Sequence, residues 1–369
     1  MSIREIADRV GVSTATVSRV LNNPEYKCAV PELRDKIWKT AIELNYTPNE
    51  AARNLKKGIK HEQKRYYISV LMTRMDGADA DPFFSELLRV IESEIHDNAC
   101  VLSKVWYNSL FSNDRKCKKA DLTQIIQEMF EENGGRDHGL IIIGKCNVEA
   151  LKILKQVYKN VVSVNRNSTN RVVDEVLCDG KKIAEIALEY LIRLGHRDIA
   201  YVGACHNEAR YRGYSETLQR HGFDLIPDYI METKHTEAEG FEAMRKFLQM
   251  EDRPTGIYCG NDITAIGMLR CLQQYKNMVY QPSIIASDDI EQSQNTKPML
   301  TTVRLPKEEM GQFALYLLLN RIRKKHDSTV CMELEGKLVV RSSCCRVDEV
   351  WLDYCIYLIW NENYVVPYI

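Results

Sequence analysis

The sequence predicts an α/β protein: a small helical head followed by two similar lobes, each built on a parallel sheet. Three observations carry that prediction. Strand-like apolar runs alternate with amphipathic helical patterns over about 220 residues, the pattern of doubly wound parallel sheets. The first 48 residues instead show helical spacing alone, broken at Gly11. Charge is also split by position: residues 1–60 hold eleven Lys and Arg against seven acids, net +4, and the remainder holds 39 against 44, net −5.

The head opens at Ser2-x-x-Glu5, a capping box for a short helix whose Ile6 and Val10 share one face. Gly11 follows where a helix ends in a left-handed residue. Ser13 can cap a second helix with Val17, Val20 and Leu21 inward and Thr14, Ala15, Ser18 and Arg19 outward. Two helices across a glycine turn make a helix-turn-helix, whose second helix fits the major groove of DNA. Small residues at 14 and 15 permit close approach to base edges, and Arg19 is long enough to fork onto a guanine. A third helix starts at Pro31 and repeats Leu33, Ile37, Ala41 and Leu44 as the floor. Asn45-Tyr46-Thr47-Pro48 stops it.

Asn49 to Leu55 is too short to hold as an isolated helix, since nucleation is costly below roughly 12 residues. Folded against a twin copy, it would group Ala51, Ala52 and Leu55, with Leu55 as a minor-groove wedge. Beyond Lys64 the strand-like runs are Tyr67 to Met72, Val101 to Trp106, Leu140 to Ile143, Val161 to Val164, Ile199 to Val202, Gly256 to Cys259 and Ser283 to Ala286. Helical patterns separate them at Phe83 to Ile95, Ala120 to Phe130, Glu149 to Tyr158, Ile183 to Leu194, Gly213 to His221, Phe241 to Met250 and Thr264 to Gln273. One sheet that long is disfavoured, so two lobes around a cleft are expected.

Composition narrows the classes further. The 369 residues leave room for two or three domains, and 45% apolar with 27% charged residues and a net charge of −1 exclude a disordered chain or a uniformly basic coat. No run of about 18 apolar residues exists to span a bilayer, and MSIREIADRV lacks the apolar region of a secretory signal, so a cytoplasmic protein without membrane contact is expected. The twelve cysteines contain no C-x-x-C, so no metal site, redox motif or cofactor is signalled.

The chain resembles the lactose-repressor and galactose-repressor (LacI/GalR) family of transcription regulators over residues 2 to about 344. The residues carrying the resemblance are IREIADRVGVSTATVSRVLN from Ile3, LNYTPNEAARNLKKG from Leu44, DPFF from Asp81, LIRLGHRDIAYVG from Leu191, RYRGY from Arg210, GNDITAIGML from Gly260, and SDDI with PMLTTVRLP between Ser287 and Pro306. The resemblance implies a DNA-binding head (1–48), a hinge helix and linker (49–64), and a two-lobed, periplasmic-binding-protein-like sensor (65–344) whose chain crosses between lobes three times. It further implies a homodimer on a near-palindromic operator, switched by a small effector such as a sugar or sugar phosphate. The residues expected to meet DNA are Thr14, Ala15, Thr16, Ser18, Arg19, Asn22, Ala52, Arg53, Leu55 and Lys56. Those expected at the effector are Phe83, Phe84, Arg210, Asn261 and Asp288, with Asp262 and Asp289 as their motif neighbours.

Chemistry supports that pocket independently. A sugar needs carboxylates, an amide and a guanidinium at its rim and aromatic faces for its C–H surface. Asn261 and Asp288 each follow a strand-like run, at carboxyl ends that face a crevice. Ser287 departs from the family, which commonly has an aromatic residue there. The segment 345–369 has no family counterpart; it carries two of the four Trp and four of the nineteen Tyr, and is expected to be an extension and not a coiled coil. Among rival classes, a transport receptor would need export. No catalytic activity is expected, because G-x-x-x-x-G-K-[ST], G-x-S-x-G, H-E-x-x-H and G-x-G-x-x-G are all missing. A global or activating regulator using a corepressor or partner protein is the alternative.

Overall fold

A computed structural model describes residues 3–22, 26, 31–44, 65–74, 81–275 and 280–348. It separates into two compact units, Met1–Lys64 and Arg65–Ile369.

The first unit holds α1 (Ile3–Val10), α2 (Thr14–Asn22) and α3 (Pro31–Glu43). Ile6, Val17 and Ile37, one from each helix, meet with no exposed surface. Burying each contributes about 1.5–3 kcal/mol, which holds three short helices that would not form alone. The turn between α1 and α2 requires Gly11, which adopts φ +79°. Its N–H and that of Val12 donate to the Ala7 carbonyl at 2.9 and 3.0 Å, closing the end of α1. Ser13 then caps α2, its Oγ accepting from the Thr16 N–H at 3.1 Å. The expected capping box at Ser2 and the stop at Asn45 to Pro48 lie outside the described residues.

In the second unit, one sheet has the order β11-β5-β4-β3-β1-β2 and the other β12-β10-β9-β8-β6-β7. Lobe 1 is built from β1 (Tyr67–Met72), β2 (Val101–Tyr107), β3 (Gly139–Ile143), β4 (Val161–Asn165), β5 (Asp174–Leu177) and β11 (Cys331–Glu333). Lobe 2 has β6 (Ile199–Gly203), β7 (Ile230–Glu232), β8 (Gly256–Cys259), β9 (Ser283–Asp288), β10 (Thr301–Arg304) and β12 (Lys337–Val339). All neighbours run parallel except β12 on β10. The central strands read as continuous apolar runs because helices cover both faces; β3, GLIII, is buried throughout.

The helices are α4 (Pro82–Asp97), α5 (Asp114–Cys117), α6 (Leu122–Glu132), α7 (Val148–Tyr158), α8 (Gly180–Arg193), α9 (Ala209–Arg220), α10 (Glu237–Gln249), α11 (Asp262–Gln274) and α12 (Lys307–Ile322). After β5 the chain leaves lobe 1, and α8 packs on β8, β9 and β10. After β10 it returns, and α12 packs on α4 and on β3 to β5. After β11 it crosses again to pair β12 with β10. The lobes are therefore interwoven by three crossings, as the resemblance implied.

Five strands escaped the sequence reading: β5, β7, β10, β11 and β12, together with the helices α5 and α12. Three-residue edge strands carry no period to detect. In β5, the sequence DEVL hides a buried strand because its acids are satisfied internally. Asp174, 1% exposed, accepts from Arg321 at 2.5 and 2.7 Å and from the Val330 N–H at 2.8 Å, and lies 2.9 Å from His326. Cys345 and Val347 pack into lobe 2, where the Val347 N–H donates to the Leu194 carbonyl and Ser283 Oγ donates to the Cys345 carbonyl. The rest of the aromatic tail lies outside the described residues from 349 onward.

Candidate functional site

In the head, Thr14, Ala15 and Arg19 lie on the exposed face of α2 while Val17 and Val20 face the core. Thr16 and Ser18 are half-buried. The Thr16 hydroxyl sits 2.9 Å from Ser13 Oγ, so it works within the cap. Asn22 ends α2, but its side chain, like Ala52, Arg53, Leu55 and Lys56, lies outside the described residues.

In the body, parallel strands direct their carboxyl ends of both sheets toward the space between the lobes. Asp81 caps α4, its carboxylate accepting from the Phe83 N–H at 3.0 Å, and Pro82 occupies the first turn. DPFF is thus a helix start whose Phe83 and Phe84, edge to face at 5.2 Å, are buried in the core of the body. Asp288 ends β9 from the opposite lobe with φ +136°, and Asp289 follows at φ +50°. Such conformations cost of order 1–3 kcal/mol in non-glycine residues and persist where the surroundings over-determine them.

The structure joins Phe83, Phe84 and Asp288 through a residue the sequence reading missed. Arg166, the residue after β4, lies with its guanidinium 4.5 Å from the Phe83 ring centre and 5.3 Å from that of Phe84. It donates to Asp288 Oδ1 at 2.5 Å. Both partners of this bridge between lobes are buried, at 4% and 1% exposure. Burial pushes the Asp288 carboxyl well above the usual carboxylate range, and Arg166 opposes that rise. Arg166 carries the same signal that marked Asn261 and Asp288, a polar residue two positions beyond the end of a strand-like run. Arg74 follows β1 in the same way, and burial lowers its pKa. Gly144, at φ +98°, leaves it room, since a Cβ there would sit 2.9 Å from Arg74 Cγ.

Arg210 and Asn261 are committed within lobe 2. Arg210 Nε donates to Glu208 at 2.8 Å, Nη1 donates to the Gly260 carbonyl, and Nη2 lies 3.3 Å from His235 Nε2. The Arg210 charge holds the buried Glu208 carboxyl far below its ordinary value. Burial, and then Arg210, drives the His235 pKa down, which keeps that imidazole neutral. Asn261 caps α11, accepting from the Thr264 N–H at 3.1 Å and its hydroxyl at 2.6 Å. Of the neighbouring acids, Asp262 binds Ser293 Oγ, Thr302 Oγ1 and the Ile290 N–H. Asp289 pairs with Arg304 and Arg341 at 2.5 and 2.6 Å, which holds its carboxyl low. Both are structural. At Ser287, where the family commonly has an aromatic residue, the Tyr258 hydroxyl from β8 lies 3.0 Å from the serine Oγ.

Known proteins share this fold. Residues 2–49 match the model for bacterial regulatory proteins of the lacI family, and residues 188–344 match the periplasmic binding protein-like domain. The HTH-type transcriptional repressor PurR of Photorhabdus laumondii is 28% identical over 365 residues, covering 96% of this chain and 99% of its own. Among solved structures, a complex of the transcriptional regulator CelR with cellobiose aligns at TM-score 0.65 with 20% identity, covering 93% of this chain and 100% of the other. A lac repressor dimer bound to operator and the anti-inducer ONPF aligns at TM-score 0.64 with 23% identity, covering 94% and 99%. No helix among the described residues is long and apolar enough to cross a membrane.

Proposed function

The chain belongs to the lacI family of bacterial regulatory proteins and is a DNA-binding transcriptional repressor of that family, and from this premise we propose how it reads and releases its operator. Two copies bind a near-palindromic site, one recognition helix per half-site, because protein and DNA two-folds must coincide. Phosphate contacts from the basic head give salt-sensitive affinity, while Thr14, Ala15 and Arg19 select bases. The hinge residues Ala52, Arg53, Leu55 and Lys56 pair in the minor groove, with Leu55 as the wedge.

The switch is a small hydroxylated effector, such as a sugar or sugar phosphate, bound between the lobes. The Arg166–Asp288 bridge carries this reading. It is a buried guanidinium–carboxyl contact laid across two aromatic faces, at the place where a ligand with a polar rim and an apolar face would exchange partners with it. Exchange changes how the lobes are tied, and a coupling of about 1–3 kcal/mol gives a 5- to 150-fold change in operator affinity.

A thermal-shift screen of mono- and disaccharides, sugar phosphates and purine bases tests this, followed by operator titration in fluorescence anisotropy. A hit should raise the melting temperature and change operator affinity in the wild type but not in Asp288→Asn, whose affinity for operator without ligand stays intact. A normal response in Asp288→Asn would remove the carboxylate from the switch. Hits confined to purine bases would replace the sugar with a planar heterocycle on the Phe83 and Phe84 faces.

A further inference from the structure

The carboxyl groups around the cleft differ in where their partners come from. Asp289 is held by Arg304 and Arg341 of its own lobe. Asp262 binds Ser293 Oγ, Thr302 Oγ1 and the Ile290 N–H, again within lobe 2. Asp81 accepts from the Phe83 N–H of the helix it caps. The Asp288 side chain has one hydrogen bond among the described residues, and its donor, Arg166, belongs to the other lobe. Asp288 is 1% exposed, so parting the lobes breaks that bond and brings a dry carboxyl to water.

Removal from water disfavours the ionised form of a carboxyl. At Asp288 burial outweighs the charges around it and pushes the carboxyl up to about 8. Arg166 of lobe 1 and Arg210 of lobe 2 oppose the rise, while Asp81 of lobe 1 and Asp262 of lobe 2 add to it. The other titratable groups facing Asp288 are Cys178, at the end of β5, and Tyr258 of β8. Burial pushes that thiol and that hydroxyl up, so neither adds charge near neutral pH. A hydrated aspartate loses its proton at about 3.9. The same carboxyl is therefore neutral between the lobes and ionised in water over the range that separates the two values.

We propose that closing the lobes takes up one proton from solvent at Asp288, which makes the Arg166–Asp288 contact a latch that acid tightens and alkali releases. Closed, the neutral carboxyl accepts from Arg166 and no carboxylate is stranded. Open, the carboxyl is hydrated and gives the proton back. Between about pH 4 and pH 8 the closed form holds a proton that the open form lacks, so the closure constant falls as pH rises, by up to about tenfold per pH unit. Above that range both forms are ionised and the dependence ends. The latch needs no effector; its consequence for operator binding rests on the lobe switch proposed above.

The test uses the full-length protein without ligand, from about pH 5 to about pH 9.5. In potentiometric titration the wild type should release one proton per chain more than Asp288→Asn, with its midpoint at or below about pH 8. Small-angle X-ray scattering should show the wild type expanding as that proton leaves, while Asp288→Asn, which cannot ionise, keeps its dimensions. Asp288→Ser should behave like Asp288→Asn and serves if the latter does not fold. Arg166→Met loses the donor and the opposing charge, so it should expand at a pH lower by about one unit for each tenfold loss of closure. No additional proton in the wild type, loss of the proton without expansion, or equal expansion in Asp288→Asn would overturn the latch. Operator titration by anisotropy at about pH 6 and pH 8.5 separates this from failure of the switch. A larger change of affinity with pH in the wild type than in Asp288→Asn supports both. Equal changes in the two proteins, with the proton and the expansion as expected, uphold the latch and remove the lobe switch.

Discussion

The adjacent aspartates Asp288 and Asp289 behave oppositely although their sequence context is the same. Asp288 is buried opposite a single guanidinium, and burial raises its pKa. Asp289 is held by two arginines, and its pKa is lowered. A raised carboxyl favours the fold in its neutral form, so its penalty is absent below the unfolded value and grows as pH rises toward the folded value. Arg166→Met removes the opposing charge and enlarges that penalty. Stranding a buried charge costs about 3–5 kcal/mol, and here protonation of Asp288, whose carboxyl burial pushes up to about 8, relieves it below that pH. The urea midpoint of Arg166→Met should therefore fall below that of the wild type by more at about pH 9.5 than at about pH 6, because Asp288 in the wild type ionises only around pH 8; an equal fall would show that Asp288 does not titrate there. Asp289 contributes stability above its unfolded pKa and loses it as pH falls through the lower folded value. Asp289→Asn should be destabilised at pH 7, with the gap to wild type closing toward pH 2.5. A gap that persists unchanged in acid would show that its carboxylate charge is not what stabilises the crossing to β10.

At the scale of elements, α2 separates a residue that builds the helix from one that reads through it. Ser13 satisfies an N–H that the helix leaves open, and Ser13→Ala should cost about 1 kcal/mol of head stability with base preference unchanged. Arg19 is exposed and outside the head core, so Arg19→Ala should stay within about 0.5 kcal/mol in stability. Selection against a randomised operator library should show relaxed preference at one position per half-site, and unchanged specificity would remove it from base readout. Both roles were legible in sequence, because capping and helical period are local properties. So were the long central strands, whose apolar runs are continuous. What stayed hidden depends on partners distant in sequence. Asp174 makes β5 look like a surface turn until Arg321 and His326 arrive from 147 and 152 residues away. Asn261 looks like a ligand residue because a cap and a ligand amide need the same donor and acceptor. Arg166 was hidden by omission alone, since the rule of strand carboxyl ends applied to Asn261 and Asp288 marks it equally.

For the whole molecule, interweaving decides what an effector can do. Three crossings tie the lobes, and Lys307 at the start of α12 binds Glu86 of α4 together with the Asp289 carbonyl at 3.1 Å. A body so connected is expected to exchange between a few discrete arrangements of its lobes, because packed interfaces are bistable and not continuously deformable. Effector and operator then bias one equilibrium, and their coupling must be reciprocal. If saturating effector weakens operator binding by some factor, saturating operator must weaken effector binding by the same factor. The direction is immaterial, since a corepressor strengthens both equally. Titrating effector by calorimetry with and without a duplex operator, and operator by anisotropy with and without effector, should give two factors equal within error. Unequal factors would mean that the two ligands do not share a conformational equilibrium. Lys307→Met, which loosens the tie between lobes without touching the head, should then change both factors together; a change in one alone would place Lys307 at a binding site and not in the equilibrium between states.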